Sequence, residues 1–290
     1  ELREESALVN QYATFMSEFT VDFDGKKLPL TLLKKYMDDG DREVRKRAFD
    51  ALGATFEQNA EVLDGIYDKL VKVRTRMARK MGYKNYVELG YYKMGRLCYN
   101  REMVEKFREN VLNDVVPVVS RVRKARAEKL GISDMKLYDY GVCFACGDPE
   151  PVLDANGMFN AGREMYREMS KETGEFIDMM LENEAFDVLS REGKWGGGYC
   201  TEFPKYKQPF ILANFNGSSG DVDVLTHEAG HAFASYLAFK NNLDPECPLG
   251  METAETHSMS MEFFCWKFID KFFAGRANDY KYKHLLDSLS

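Results

Sequence analysis

The stretch Thr226-His227-Glu228-Ala229-Gly230-His231 decides how the rest of the chain is read. Two histidines four residues apart, the first followed at once by a glutamate, make the HExxH pattern. On a helix, residues i and i+4 stand one above the other, about 5–6 Å apart at Cβ, so both imidazoles face one ion. Glu228, roughly 100° further round, reaches the remaining position beside that ion rather than the ion itself. Two neutral imidazoles and a carboxylate suit one zinc ion, with a fourth place left for water. Cobalt or manganese would fit the same donor types.

The flanks agree with a helix. Val222, Leu225, Ala229, Ala232, Phe233, Tyr236 and Leu237 recur at 3-, 4- and 7-residue spacing. Gly217-Ser-Ser-Gly-Asp221 supplies a start signal and Asn241-Asn242 a stop. Gly230 in mid-helix costs about 1 kcal/mol relative to alanine, which predicts that something approaches the backbone closely there. Upstream, Tyr199-Cys-Thr-Glu-Phe203 and Pro209-Phe-Ile-Leu-Ala-Asn-Phe215 read as two short strands, the only ones expected. An exposed edge of that small sheet would hold an extended peptide by strand addition. Lys194-Trp-Gly-Gly-Gly198, just before it, reads as a turn able to bring backbone near a ligand.

Two histidines do not complete a metal site. Downstream, Glu252, Glu255, Ser258, Met259 and Glu262 share one face of a further helix, with His257 pointing elsewhere. Glu255 lies 24 residues past His231 and Glu252 lies 21 past it, so spacing allows either as third ligand. A neighbouring carboxylate would then brace a histidine from behind.

The remaining text is mostly helical. Residues 1 to about 130 read as helices, with a capped break at Asp38-Asp39-Gly40-Asp41 and a kink or break at Pro117 inside Arg101 to Leu130. Residues 131–160 are loop-rich, and Ala161 to Asp187 resumes as helix. The Arg121-Val-Arg-Lys-Ala-Arg126 cluster reads as a solvated face. With 44% hydrophobic and 30% charged residues and a net charge of −7, the 290-residue chain reads as soluble and globular, without a nucleic-acid footprint. No apolar run approaches the ~18 residues of a membrane span. Of six cysteines only Cys143 and Cys146 have CxxC spacing, and the scatter suits a reducing, cytoplasmic setting. An acidic start without Met and an end in mid-pattern lead us to expect a piece of a longer chain.

Ala213-Asn-Phe-Asn-Gly217, His227-Glu-Ala-Gly-His231, then Ala254-Glu255 followed by Ser258 and Glu262, resemble the zinc oligopeptidases typified by oligoendopeptidase F and thimet oligopeptidase. Weaker similarity runs through Asp41-Arg-Glu-Val-Arg45 and Arg76 to Tyr86, so the resemblance covers most of the chain. It implies that His227, His231 and Glu255 bind zinc and that Glu228 is the base. Substrate contacts are assigned to Ala213 and Asn214, and supporting roles behind the ligands to Glu252, Ser258 and Glu262. It implies a mainly α, two-lobed fold with a small sheet beside the HExxH helix and a deep channel for short peptides. Residues 1–190 would form one wall of that channel and 191–290 would carry the zinc. The family also has a later segment, whose tyrosine and Gly-rich loop contact substrate and which lies beyond this sequence, so weakened cleavage is the expectation for residues 1–290. Two other readings remain: a helical metallocarboxypeptidase or dipeptidase, and a non-catalytic module whose structural zinc takes Cys247 or His257 as fourth ligand. Cleavage preference, the natural peptide and oligomeric state are not encoded legibly.

Overall fold

A computed structural model describes residues 1–243 and 250–289. Its contacts divide the chain into two units, Glu1–Gly141 with Glu192–Trp195, and Val142–Arg191 with Gly196–Ser290.

The first unit is built from helices around two small cores. Helix α1 (Leu2–Glu18) is followed by a hairpin of β1 (Thr20–Phe23) and β2 (Lys26–Pro29), then α2 (Leu30–Met37) and α3 (Arg42–Gln58). The hairpin departs from the helical reading of this region. Thr20-Val-Asp-Phe alternates as a strand does, and Asp24-Gly25 turns the chain with φ of 47° and 74°, the left-handed pair a two-residue hairpin requires. Its inward residues Val21, Phe23 and Leu28 pack with Phe19, Leu33 and Ala48. Asp41 caps α3 by accepting from the Glu43 N–H, as the sequence leads one to expect. Helices α4 (Ala60–Lys80) and α5 (Tyr86–Lys93) make the second core with α1, through Leu8, Val73, Met77, Ala78 and Leu89.

Helices α6 (Arg101–Asn110) and α7 (Val116–Leu130) are joined by a π-helical turn, Val111–Val115. Pro117 has no N–H to return to Asn113 and its ring crowds that carbonyl, so the ladder widens instead of breaking. Within the basic cluster of α7, Arg126 is buried and not solvated.

In the second unit, α8 (Ala155–Met169) and α9 (Lys171–Glu182) replace the single helix expected from 161 to 187. Ser170 and Thr173 form a capping box that restarts the helix. The chain then enters β3 (Phe186–Leu189), a third strand that the sequence reading did not separate from the helix. Strands β4 (Tyr199–Phe203) and β5 (Gln208–Phe215) fall where expected. The sheet order is β3-β5-β4, with β3 parallel and β4 antiparallel to β5. Alternate residues of β5, Ile211, Ala213 and Phe215, enter the main core. Helix α10 (Gly220–Lys240) lies on β4 and β5 and packs closely against α11 (Met251–Cys265), before the short α12 (Asp270–Phe273) and α13 (Ala277–Leu289). Enclosed by sheet and helices, α10 buries Val222, Leu225, Ala229 and Ala232 together with the polar Asp221, Thr226 and Glu228. Among the described residues no helix is long and apolar enough to cross a membrane.

Candidate metal centre

Helix α10 sets His227 and His231 one turn apart, with ring centroids 5.1 Å from each other. Helix α11 brings Glu255 to them: its Oε2 lies 3.1 Å from His227 Nε2 and 3.5 Å from His231 Nε2. One donor atom from each of the three residues falls within 4.8 Å of the others, the clustering that a single cation needs. Two imidazole nitrogens and a carboxylate oxygen are a donor set that zinc accepts. Gly230 makes this meeting possible, because a Cβ there would lie 2.6 Å from Ser258 Cα. The close approach expected at that glycine is therefore the neighbouring helix itself.

Glu228 is 7% exposed and accepts from the Cys200 backbone N–H. Burial raises its carboxyl above the ordinary range, and the charge of Glu255 adds to this against the pull of His227. The glycine turn before β4 serves this residue: a Cβ at Gly198 would sit 3.5 Å from Glu228 Oε1 and 3.1 Å from Val224 Cγ1.

Each donor is braced. Ser258, fully buried, places its Oγ 2.8 Å from Glu255 Oε2. Glu262 Oε1 stands 2.5 Å from His227 Nδ1, and its Oε2 meets His284 Nε2 on α13. Burial would raise the Glu262 carboxyl, but the hydrogen bonds from His227 and His284 hold it at about 2. Burial lowers His227, and the Glu262 hydrogen bond with the surrounding carboxylates more than reverses this. His231 is lowered, first by burial and then by the charge of His227.

The predicted residues fall into two groups. His227, Glu228, His231, Glu255, Ser258 and Glu262 converge. Glu252 is exposed and lies outside the three-donor cluster. Ala213 is 1% exposed on the central strand, and the Asn214 side chain donates to the Gly197 carbonyl at 2.8 Å. His257 does not point away: its Nε2 is 3.1 Å from His231 Nδ1. With Ser258 Cα pressed onto Gly230, the adjacent residue of α11 reaches past α10 to the second histidine. That contact sets its Nε2 against the outer nitrogen of His231, and Cys247 lies outside the described residues. His284 was missed altogether. The usable signal was scarcity, since the chain has four histidines and all four join this one network.

The family model described as Peptidase family M3 matches residues 35–144 and 164–288. Oligopeptidase PepF of Bacillus subtilis (strain 168) is 26% identical over 267 residues, covering 89% of this chain and 38% of its own length. The chromosomal oligoendopeptidase F of Lactococcus lactis subsp. cremoris is 26% identical over 226 residues, or 75% of this chain and 35% of that protein. Among solved structures, PZ peptidase A with inhibitor 2 superposes with a TM-score of 0.95 at 44% identity, over 98% of this chain and 51% of that one. The chain thus spans under four-tenths of these two curated relatives and about half of the solved structure.

Proposed function

Because the chain belongs to peptidase family M3, we propose that it carries the zinc centre of an endopeptidase that hydrolyses short peptides. The observation that carries this is the buried Glu228, next to His227 on α10 and within electrostatic reach of His227 and Glu255, where His227, His231 and Glu255 converge. A structural site has no use for such a base, whereas hydrolysis requires one.

A zinc ion held by these three residues supplies Lewis acidity toward water and a peptide carbonyl. Glu228 takes the proton of the attacking water and returns it to the leaving amine. Glu262 and His257 hold the outer nitrogens of the two histidines, which leaves each Nε2 directed at Glu255. Strand β4 is an edge of the sheet and packs on α10, offering an extended peptide a backbone to pair with. Asn214 contributes by fixing the Gly197 carbonyl of the turn that leads into that strand. The five described cysteines are free thiols, which supports a reducing, cytoplasmic setting.

The test is zinc content together with cleavage of two quenched peptide libraries, one blocked at both ends and one with free C-termini, for the chain and its Glu228→Gln variant. Zinc in both proteins and internal cleavage reduced by about 10²–10⁴ in the variant is the expected result. Equal cleavage by the two proteins would remove Glu228 as the base, and a zinc-free parent would remove the centre. Cleavage confined to peptides with a free C-terminus would transfer the reading to a carboxypeptidase.

A further inference from the structure

The hydrogen bonds leading away from His227 do not end at Glu262. Glu262 Oε2 meets His284 Nε2, and His284 Nδ1 lies 3.1 Å from the indole Nε1 of Trp266. An indole N–H can only donate. His284 must therefore present a lone pair at Nδ1, so its single ring proton sits on Nε2 and is donated to Glu262. That carboxylate, with one oxygen engaged by His284, accepts at the other from Nδ1–H of His227. His227 is left with its lone pair on Nε2, the nitrogen 3.1 Å from Glu255 Oε2. The indole N–H fixes the His284 tautomer, and the ionised Glu262, which can only accept, fixes the Nδ1–H of His227.

The ring of His284 is also held in place. It is 5% exposed and stacks on Tyr280 at 5.8 Å and 19°. Phe263 meets it edge-on at 5.1 Å and 71°, and Trp266 at 5.6 Å and 75°. Tyr280 is fixed in turn by its hydroxyl on Asp223, at 2.5 Å. A half-turn of the imidazole would remove Nδ1 from the indole and set a C–H against it.

We propose that His284, its tautomer set by Trp266, is a positioning residue that pins Glu262 and thereby keeps His227 in the Nδ1–H form whose Nε2 faces the ligand cluster. The zinc consequence rests on the metallopeptidase reading; the tautomer assignment does not. Ring-nitrogen NMR of the metal-free chain, labelled at its four histidines and held at about pH 8.5, above the ordinary histidine range, tests the assignment. His227 and His284 are expected as opposite tautomers, Nδ1–H and Nε2–H. Nδ1–H on His284 would overturn the proposal.

Zinc competition against a chromophoric chelator tests the consequence. His284→Phe fills the aromatic cage without a donor, and His284→Gln restores one near the Nε2 position. The first is expected to weaken zinc binding about 10–100-fold, the second to recover most of it. Zinc affinity of a folded His284→Phe chain within about twofold of the parent would overturn the proposal, because loss of an outer partner normally exceeds that. Trp266→Phe removes the indole N–H together with part of the ring, keeps an aromatic side chain at the position, and supplies a second route should His284→Phe not fold. It is expected to mix the His284 tautomers, and an unchanged pure Nε2–H signal would deny Trp266 its part. A parent that binds no zinc but shows the opposite tautomers would sink the metallopeptidase reading and leave the positioning line standing.

Discussion

Gly230 stands where α10 and α11 cross, and a Cβ built there would fall 2.6 Å from Ser258 Cα, 2.9 Å from the His257 carbonyl oxygen and 3.0 Å from Met261 Cβ. Two of these neighbours are backbone atoms, so no side chain can swing aside to make room. Gly230→Ala gains helix propensity of up to about 1 kcal/mol. We expect it nevertheless to destabilise the chain by about 1–3 kcal/mol, since overpacking moves whole helices. The same displacement carries Glu255 away from His227 and His231 and weakens zinc binding. Urea unfolding and a zinc titration check both effects; parental stability together with parental affinity would contradict the crossing. The glycine was legible in the sequence as a place of close approach, because its helical setting is local. What approaches it was not, since that depends on how α11 returns. His257 and His284 escaped for the same reason: each reaches the site across a helix packing, and no spacing along the chain encodes it.

The start of α10 shows how an element can be foreseen while its mechanism is not. Gly217 to Asp221 reads as a start signal, and the helix does begin at Gly220, but Ser219 makes no side-chain cap. Asp221, 3% exposed, reaches back instead to the Asn216 N–H at 2.9 Å and the Gly217 N–H at 2.7 Å. These are charge-assisted bonds at the positive end of the helix dipole. Asp221→Ala should destabilise the chain by about 2 kcal/mol, the upper range for a lost cap, and Asp221→Asn by less. Urea unfolding of the three proteins tests this, and an alanine variant equal to the parent would refute it. Elements with strong local signals, α10, β4 and β5 among them, were readable in this way. Strand β3 has four residues and gains its identity by parallel pairing with β5, across more than 20 intervening residues. The β1–β2 hairpin did carry its signal in Asp24-Gly25, which the helical periodicity around it obscured.

At the scale of the molecule, the first unit holds a buried ion cluster of its own. Asp139 is fully buried and binds Arg42 and the 3%-exposed Arg45, at 2.8 Å and 2.9 Å, tying the loop after α7 to α3. Arg45 also donates to the carbonyls of Asp39 and Gly40, so one guanidinium joins the cluster to the loop that caps α3. Burial acts to raise the Asp139 carboxyl, yet the bonds from Arg42, the Lys136 N–H and Arg45 hold it at about 2, below the ordinary 3.8. A carboxyl depressed in the folded state binds its proton more readily once unfolded. Its contribution to stability is therefore complete above about pH 4 and is lost as the pH falls through about 2. The difference between those two values corresponds to about 2 kcal/mol. Asp139→Asn strands Arg45 without its counter-charge and should cost about 3–5 kcal/mol at neutral pH. The gap between parent and variant should then narrow by about 2 kcal/mol from pH 4 to pH 2, because acid removes in the parent what the substitution has already removed. Urea unfolding of both chains across that interval measures the gap directly. A gap that stays constant would mean that Asp139 contributes through packing rather than charge, and that the arginines are held by their backbone carbonyl bonds alone.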